Sequence, residues 1–390
     1  RGAPSPAPPG ARRRLRRRQS RGPRAGLLWR LQPVREAGPC FERVLTAIRL
    51  EEPDRVPSAE VWIHPEVKDA FLGYPVRSLK DDVEFWLRAG YDFVALEADL
   101  YSAPQLQAHI FTPLANTADL YAGHRPERSW VTGGDTLSTW EQVRSFPWPK
   151  AADVDLGHLA RIRQHLPSDM KVLVNVGHVF TAAWQLMGFE TFCLALHEDP
   201  SLVTEVVDRL GEESLLLTER ALGYDSVGVV CFQDDIAYTS GLVISPRMLR
   251  QVFFPWLRRA AACCHEAGRP MLYHSDGKLD EALPEIVDCG VDGIQAIEPK
   301  CMDIAAVKRD WGDKLALMGN VDLGYTLTRG TAREVREEVR QIIRHAGPGG
   351  GLLVGSANSI PNYVPLENYK ALLVAVEAYG RYPIAVEEGE

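Results

Sequence analysis

From residue 59 onward, short apolar or β-branched runs alternate with longer amphipathic segments along the chain. The spacing of apolar residues changes each time, from continuous or every second residue to 3.6, which predicts strands that are each followed by a helix. Continuous apolar runs such as 227–232 are typical of a parallel sheet that is buried on both faces. The eight predicted strands span residues 59–63, 92–96, 171–176, 226–232, 270–273, 293–297, 315–319 and 352–355.

Capping signals predict several of the helices. One helix is expected to begin near Phe41, another to run over residues 199–222, and a third over residues 245–266, the last two because each opens with a capping residue followed by proline. Thr331 and Glu334 form a capping box ahead of an apolar stripe, which predicts a fourth.

This order of elements predicts the α/β class and a closed (β/α)8 barrel, or TIM barrel, in one domain over residues 41–383. A doubly wound open sheet with an added domain would give a similar string of elements. Residues 101–150 are rich in Pro, Gly, Thr and Trp. They are interpreted as an insertion after the second predicted strand, with a hairpin that includes residues 129–132, over the barrel mouth. Residues 384–390 are expected to be an acidic tail.

Polar side chains follow all eight predicted strands. In a barrel the carboxyl ends of the strands meet at one mouth, so these side chains are expected to lie together there. In chain order they are His64, Glu97, Asn175 with His178, Asp234 with Asp235, His274 with Asp276, Glu298, Asn320 with Asp322, and Ser356 with Asn358.

The sharpest of these signals is His274 with Asp276, because residues i and i+2 leaving a strand can offer an imidazole and a carboxylate to one metal or substrate. The alternative is that Asp276 caps the next helix while His274 packs. Asp234 and Asp235 follow a wholly apolar strand, and either could act as a general acid, a metal ligand or a helix cap. Of the two, Asp234 is weakly preferred as the catalytic group.

Composition narrows the function classes. The 390 residues contain no stretch of eighteen apolar residues, so a membrane span is not expected. Residues 41–390 carry 33 basic and 51 acidic side chains, a net charge of −18 that argues against nucleic acid as a partner. The seven cysteines are odd in number and form no C-x-x-C pair, which is typical of reduced thiols in a cytoplasmic protein.

Residues 1–40 contain eleven arginines, no lysine and one acid, Glu36, among many prolines and glycines. Such a segment is expected to be a disordered arm. It is interpreted as an organelle transit peptide, as an arm for nucleic acid or a membrane surface, or as sequence that is not part of the mature protein. The last interpretation is favoured, because the chain begins with Arg1.

The chain resembles the uroporphyrinogen decarboxylase superfamily over about residues 41–383. The motifs that carry the resemblance are Arg43-Val44-Leu45 through Asp54-Arg55-Val56-Pro57, Phe232-Gln233-Asp234-Asp235, Ser245-Pro246, Phe254-Pro255-Trp256, His274-Ser275-Asp276-Gly277, Gly319-Asn320-Val321-Asp322, Pro365-Leu366-Glu367-Asn368 and Tyr379-Gly380-Arg381-Tyr382-Pro383. The superfamily includes porphyrinogen decarboxylases and zinc-dependent methyltransferases that work with corrinoid proteins.

In the methyltransferase branch, the resemblance implies zinc ligands at His274, Asp276 and Asn358, where that branch has a histidine and two cysteines. Aspartate is a harder zinc ligand than a thiolate and asparagine is a poor one, so weaker metal binding is expected here. The decarboxylases carry an arginine-rich element that binds the carboxylates of the substrate. This chain has Ala59-Glu60-Val61-Trp62-Ile63-His64-Pro65 there, which argues against uroporphyrinogen as the substrate.

The leading hypothesis is therefore an enzyme that transfers methyl between a small substrate and the cobalamin of a partner corrinoid protein, with zinc at His274 and Asp276. Its expected catalytic residues are His274, Asp276 and Asp234. Its expected substrate-binding residues are Trp62, His64, Glu97, Asn175, His178, Tyr273, Asn320, Asp322 and Asn358.

Two alternatives remain open at this stage. One is a decarboxylase of uroporphyrinogen or a smaller carboxylic acid, which needs no cofactor and would use Asp234 as proton donor. The other is a non-catalytic protein that binds a tetrapyrrole or another small molecule, with stacking faces from Trp62, Tyr238 and Tyr273.

Overall fold

Seven of the eight predicted apolar runs form strands, and these strands make one curled, wholly parallel sheet. The computed structural model describes residues 38–110 and 136–384. Most of the predicted arm, the predicted hairpin at 129–132 and nearly all of the acidic tail lie outside these residues. The strands are β1 (Phe93–Glu97), β2 (Lys171–Gly177), β3 (Val227–Gln233), β4 (Ala237–Tyr238), β5 (Gly241–Leu242), β6 (Met271–His274), β7 (Gly293–Gln295), β8 (Ala316–Val321) and β9 (Leu352–Ser356).

Each strand of the sheet pairs with the next along the chain, in the order β1-β2-β3-β6-β7-β8-β9, while β4 and β5 form a short separate antiparallel pair. The helices between the strands are α1 (Phe41–Ile48), α2 (Pro65–Leu72), α3 (Leu79–Arg88), α4 (Pro104–Ile110), α5 (Trp140–Ser145), α6 (Gly157–Arg161), α7 (Val179–Met187), α8 (Phe189–Glu198), α9 (Pro200–Leu222), α10 (Pro246–Val252), α11 (Phe254–Glu266), α12 (Leu283–Asp288), α13 (Ile304–Trp311), α14 (Thr326–Arg329), α15 (Ala332–Ala346) and α16 (Leu366–Tyr379). Short 3-10 turns lie at Leu100–Ser102, Ala151–Asp153 and Ile162–Gln164.

The helix predictions from capping signals are confirmed with one exception. Helices α9 and α15 begin where their caps predict, α15 with the capping box of Thr331 and Glu334, and α1 begins at Phe41 as expected. The single helix predicted over 245–266 is wrong, because the structure breaks it at Phe253 into α10 and α11. Pro255 lies in the first turn of α11 and has no N–H to donate to the preceding turn, so the two helices cannot be continuous.

The described parts of the predicted insertion are helical. Residues 101–110 contain α4 and residues 136–150 contain α5, which a Thr139–Gln142 capping box begins. In that box Gln142 donates its N–H to the Thr139 side chain and accepts the Thr139 N–H with its own side chain. This local capping favours a helix over the loops expected from the Pro and Gly content.

The prediction of a strand at residues 59–63 is wrong. The prediction of a closed eight-stranded barrel is therefore confirmed only in part. Residues 57–63, here called the closing segment, form two isolated parallel bridges, one from Ser58 to Val354 of β9 and one from Ile63 to Ile360, after β9. Val354 N–H donates to the Pro57 carbonyl, and a regular ladder would next use the N–H of Ser356. That N–H instead donates to the Glu60 carboxylate at 2.7 Å, which interrupts the ladder.

Glu60 is fully buried, and Ser356 also donates its hydroxyl to Glu60 at 2.6 Å. Burial raises the pKa of Glu60 to about 8, against the lowering effect of the two Ser356 donors. The side chain thus fastens the closing segment to β9 in its protonated form at neutral pH.

At the start of the chain, two basic residues of the quoted motifs hold the layers together. The buried Arg43 of α1 donates to Asp54 at 2.6 Å and to Asp92 at 2.7 Å, and Arg55 pairs with Glu377 of α16 at 2.7 Å. Arg43 therefore connects α1 to the start of β1, and Arg55 connects the residues just before the closing segment to α16.

All seven cysteines are free. Among the described residues, no single helix is long and apolar enough to cross a membrane, and α7 and α8 reach that length and apolarity only as a pair bent by 97°.

We predict that Glu60→Gln makes the protein more stable at alkaline pH. The folded-state pKa of Glu60 is raised above 4.5, so the folded chain binds a proton that the unfolded chain releases between pH 4.5 and about 8. Within that window the Glu60 contribution to the free energy of unfolding falls as pH rises, by about 1.4 kcal/mol per pH unit. Urea unfolding at pH 5.5 and pH 8.5 should show the gap between variant and wild type widening with pH. An equal gap at both values would contradict the prediction.

Candidate active site

The side chains at the carboxyl end of the sheet divide between its two faces. Tyr273 is fully buried, and its ring lies 5.8 Å from that of Phe253 on the helix side. Because successive side chains of a strand point to opposite faces, His274 lies on the inner face. Gln233 and Gln295 pair in register with His274 from the two neighbouring strands and share this face.

Three donors meet at this edge, and we call them the acid–histidine cluster: Asp235, His274 and Asp276. The His274 Nε2 lies 3.8 Å from Oδ1 of Asp235 and 3.8 Å from Oδ1 of Asp276. All three donor atoms lie within 4.8 Å of one another, and each side chain is only partly exposed. The loops after β3 and β6 bring them together, since Asp276 N–H donates to Asp235 at 2.9 Å.

A glutamine that sequence reasoning missed fixes the histidine. Gln295, in the middle of the apolar sixth predicted strand, accepts a hydrogen bond from His274 Nδ1 through its Oε1. An amide oxygen only accepts, so Nδ1 carries the proton and Nε2 presents its lone pair to the two carboxylates. The signal in the sequence was a polar residue within an apolar strand that pairs in register with His274.

The amide network continues to Asp276. The Nε2 of Gln295 donates to the carbonyl of Asn358 at 2.8 Å, and the Nδ2 of Asn358 donates to Oδ2 of Asp276 at 2.6 Å. Asn358 therefore holds Asp276, with Oδ1 left facing His274. Gly277 has φ 88°, and a Cβ there would lie 2.6 Å from the backbone of Ala237, so this position requires glycine.

Asp234, predicted as catalytic, does not face the cluster. Its carboxylate is buried and accepts four hydrogen bonds at the start of α7: from the N–H groups of Val179 and Phe180, each at 2.7 Å, and from the N–H and hydroxyl of Thr181 at 2.7 and 2.6 Å. Burial raises the pKa of Asp234 to about 6, while the Thr181 hydrogen bonds, the charge of His178 and the Phe180 N–H oppose the rise. Thus Asp235 lies beside His274, whereas Asp234 accepts the N–H groups at the start of α7.

Two predicted substrate-binding residues are held in structural contacts away from the cluster. The hydroxyl of the buried Tyr273 donates to the carbonyl of Asp234 at 2.7 Å, so its ring cannot serve as a stacking face in the mouth. Asp322 accepts the N–H groups of Gly324 and Tyr325 at 2.9 and 2.7 Å and so stabilises a turn of the backbone.

Two further predicted binding residues are Trp62, in the closing segment, and His64, directly after it. Trp62 and His64 are partly buried, with ring centroids 5.5 Å apart, edge to face. His64 Nδ1 accepts the N–H of Glu66 at 3.2 Å and so caps α2.

On the opposite part of the edge, Glu97 and Asn175 pair in register at the ends of β1 and β2. Asn175 is fully buried and donates its Nδ2 to the carbonyl of Val61 at 2.8 Å and to Glu97 at 3.1 Å. Asn320 donates its Nδ2 to the carbonyl of Ile297 at 2.9 Å. In the part of the chain that the structure describes, the Oδ1 atoms of both asparagines are buried acceptors with no hydrogen-bond partner.

A cleft of about 750 Å³ lies at the other end of the sheet, where Lys171, Val227 and Pro270 precede or begin their strands. None of the predicted site residues lines it. The predicted chemistry therefore belongs to the carboxyl edge.

The acid–histidine cluster fits a divalent metal ion. One imidazole nitrogen and two carboxylate oxygens are three protein ligands, the number that leaves a position for substrate at catalytic zinc. These donors also suit iron and manganese better than a thiolate set would. The Gln295 amide orients His274 as the carbonyl or carboxylate partner of a metal-bound histidine does. His274 and Asp276 were predicted as ligands, and of Asp234 and Asp235, either of which was a possible ligand, Asp235 is the one that lies beside them.

Comparison with known proteins gives a consistent grouping. The uroporphyrinogen decarboxylase (URO-D) family profile matches residues 136–379. The methylcobamide:CoM methyltransferase MtaA of Methanosarcina barkeri is 25% identical over 259 residues, which are 63% of this chain and 73% of that protein. A uroporphyrinogen decarboxylase of Anaeromyxobacter dehalogenans is 24% identical over 357 residues, 87% of this chain and 99% of that protein.

Among solved structures, a methyltransferase from Methanosarcina mazei superposes with a TM-score of 0.64 at 20% sequence identity. The match covers 86% of this chain and 98% of that one. At this identity the likeness concerns the fold.

We predict that Asp234→Asn lowers the free energy of unfolding much more than Asp235→Asn does. Asparagine at 234 replaces an acceptor of four hydrogen bonds with a group that turns an NH2 toward N–H donors, which should lower the free energy of unfolding by about 3 kcal/mol. Asparagine at 235 should change it by less than about 1 kcal/mol, because this side chain is partly exposed. Urea unfolding at pH 7 measures both. Equal destabilisation would show that Asp234 is not the structural member of the pair.

Proposed function

Because this chain belongs to the uroporphyrinogen decarboxylase family, we propose that it is a methyltransferase-like enzyme that exchanges a methyl group between a small substrate and a corrinoid protein. Its active site is the acid–histidine cluster. The cluster lies at the carboxyl edge of the seven-stranded parallel sheet.

The observation that carries the proposal is the orientation of His274. Its Nδ1 is held by Gln295, and its Nε2 faces the Oδ1 atoms of Asp235 and Asp276 at equal distances of 3.8 Å. The two acids and the imidazole thus form a preorganised set of donors around one point, which a structural role alone does not require.

Zinc or another divalent ion at this point would lower the pKa of a coordinated thiol or hydroxyl group of the substrate. The protein side chains have separate tasks. Asp235, His274 and Asp276 hold the ion, Gln295 and Asn358 orient His274 and Asp276, and the substrate lies against the inner-face amides of the neighbouring strands.

The likeness to a methylcobamide:CoM methyltransferase supports the choice of reaction. The closing segment supports it further, because residues 59–65 contain no arginine to bind the carboxylates of a porphyrinogen. The wholly buried Glu60 side chain accepts two hydrogen bonds from Ser356 and supplies no positive charge. A small substrate with few negative charges suits this mouth.

The second candidate is a decarboxylase of a smaller acid. Its support is the relative named uroporphyrinogen decarboxylase, which aligns over 99% of its length. The proton donor would then be Asp235 and not Asp234, because the N–H groups at the start of α7 donate to the Asp234 carboxylate. A decarboxylase of this kind would keep its activity when metals are removed.

We predict that the purified protein binds about one divalent metal ion per chain and that His274→Ala loses it. Elemental analysis for zinc, iron and manganese measures the content. His265→Ala is the matched control, because His265 lies outside the cluster and pairs with Asp292 on the exposed end of α11. Asp276→Asn should weaken metal binding. Metal-free wild-type protein with an intact fold would contradict the metal site.

We predict methyl transfer between free cobalamin and a small substrate. The probes are cob(I)alamin with a panel of methylated alcohols, amines and thioethers, and methylcobalamin with small thiols, followed by visible absorbance. The wild type should transfer methyl, His274→Ala should lose at least about a hundredfold, and His265→Ala should not change. Release of CO2 from a carboxylic acid by chelator-treated protein, without methyl transfer, would favour the decarboxylase.

A further inference from the structure

His178 has a backbone conformation that only a few non-glycine residues adopt. It follows β2 directly, with φ 56° and ψ 42°, in the left-handed region. Its N–H donates to the carbonyl of Gln233 at 2.7 Å, and its own carbonyl accepts from Ala182 at 3.3 Å. The Asp234 carboxylate holds the next turn, so the surroundings force this conformation. Such strained positions are concentrated at functional sites.

The ring of His178 lies between an aromatic face and a carboxylate. Its centroid is 4.3 Å from that of Tyr101, with the planes tilted by 34°. Its Nδ1 lies 3.5 Å from Oδ2 of Asp99, and 18% of the side chain is exposed. The Tyr101 hydroxyl is engaged by Gln185 at 2.7 Å, so Tyr101 supplies a face and no proton to His178. With Nδ1 turned to Asp99, Nε2 is the nitrogen left for a bound molecule.

The charges around His178 are acidic. They come from Asp99 after β1, Glu97 at its end and Asp234 after β3, with the neutral Tyr101 against the ring. Burial lowers the pKa of His178, but Asp99, Asp234 and Glu97 together raise it above its ordinary value. An imidazolium is therefore the form these neighbours favour.

His178 and the acid–histidine cluster flank the same mouth. Gly177, the residue before His178, pairs in register with Gln233, which pairs with His274. Two strand spacings, about 10 Å, separate the backbones of Gly177 and His274. Thr181 of α7 also accepts the N–H of Asp235 at 3.2 Å, so α7 and the cluster are fixed to each other.

We propose that His178 is the proton-donating catalytic residue of the active site and that Asp99 is its positioning residue. This inference rests on the proposed function. In demethylation, reduced corrinoid supplies the electron pair of the new cobalt–carbon bond, and the electron pair of the breaking bond stays on the substrate heteroatom. His178 Nε2 gives that heteroatom its proton. In the reverse direction, neutral His178 takes the proton of a thiol acceptor.

The test uses two substitutions at 178 that suit a left-handed backbone. Asparagine and glycine both tolerate positive φ, so His178→Asn and His178→Gly should keep the fold and the metal content of wild type. Methyl transfer from a substrate of the panel to cob(I)alamin should fall about 10²- to 10⁴-fold in both, with little change in KM. Added imidazole should restore part of the rate of His178→Gly only.

The pH profile tests the role of Asp99. Wild-type demethylation should fall as pH rises through the raised pKa of His178, because the acid form is the donor. Asp99→Asn removes a negative charge and should move this limb to lower pH, and His178→Asn should lack the limb. Asp99→Glu, which keeps the charge, should restore the wild-type profile at least in part.

The outcomes separate the two proposals. A metal-loaded wild type that transfers methyl, with His178→Asn equally fast and unchanged in pH profile, overturns the role of His178 and leaves the proposed function standing. Absence of methyl transfer in the wild type with every probe overturns the proposed function and, with it, the leaving-group role.

Discussion

The arrangement of the mouth depends on one buried carboxylate at the start of α7. Asp234 accepts four hydrogen bonds from residues 179–181, its N–H donates to the carbonyl of His274, and its carbonyl accepts the hydroxyl of Tyr273. A carboxylate that satisfies the first N–H groups of a helix also suits the positive end of the helix dipole. Through this residue β3, β6 and α7 become one rigid unit. The positions of Asp235 on one side and His178 on the other follow from it.

The acids of the mouth accept hydrogen bonds from backbone N–H groups and from a side-chain amide. Asp276 has Asn358, Glu298 accepts the N–H of Gly277 at 3.0 Å, and Asp235 accepts the N–H of Asp276. Neutral donors orient a carboxylate and add no positive charge themselves. The resulting negative field suits a metal ion, a protonated histidine or a positively charged substrate. It is unfavourable to a polyanionic substrate, in accord with the missing arginines of the closing segment.

The sequence predicted the sheet well because its evidence is local and repeated. Continuous apolar runs located seven strands to within about two residues, and strand ends located His274 and Asp276. The choice between Asp234 and Asp235 was beyond such reasoning. Adjacent residues end the same strand, and the N–H groups that select Asp234 lie more than fifty positions away. Gln295 was missed because it lies inside a predicted strand and not at its end. The predicted first strand failed because Glu60, a single side chain, takes the N–H that pairing needs.

The closing segment differs from its neighbours in how it is held. Two isolated bridges, the Glu60 contacts with Ser356 and the Asn175 bond to Val61 join it to the rest, whereas β1 and β2 have a continuous ladder. Local opening of a folded protein starts where few backbone hydrogen bonds must break together. Amide protons of the closing segment should therefore exchange with deuterium sooner than those of the inner strands. The mouth would then open locally beside Trp62, while the part that Asp234 holds stays closed.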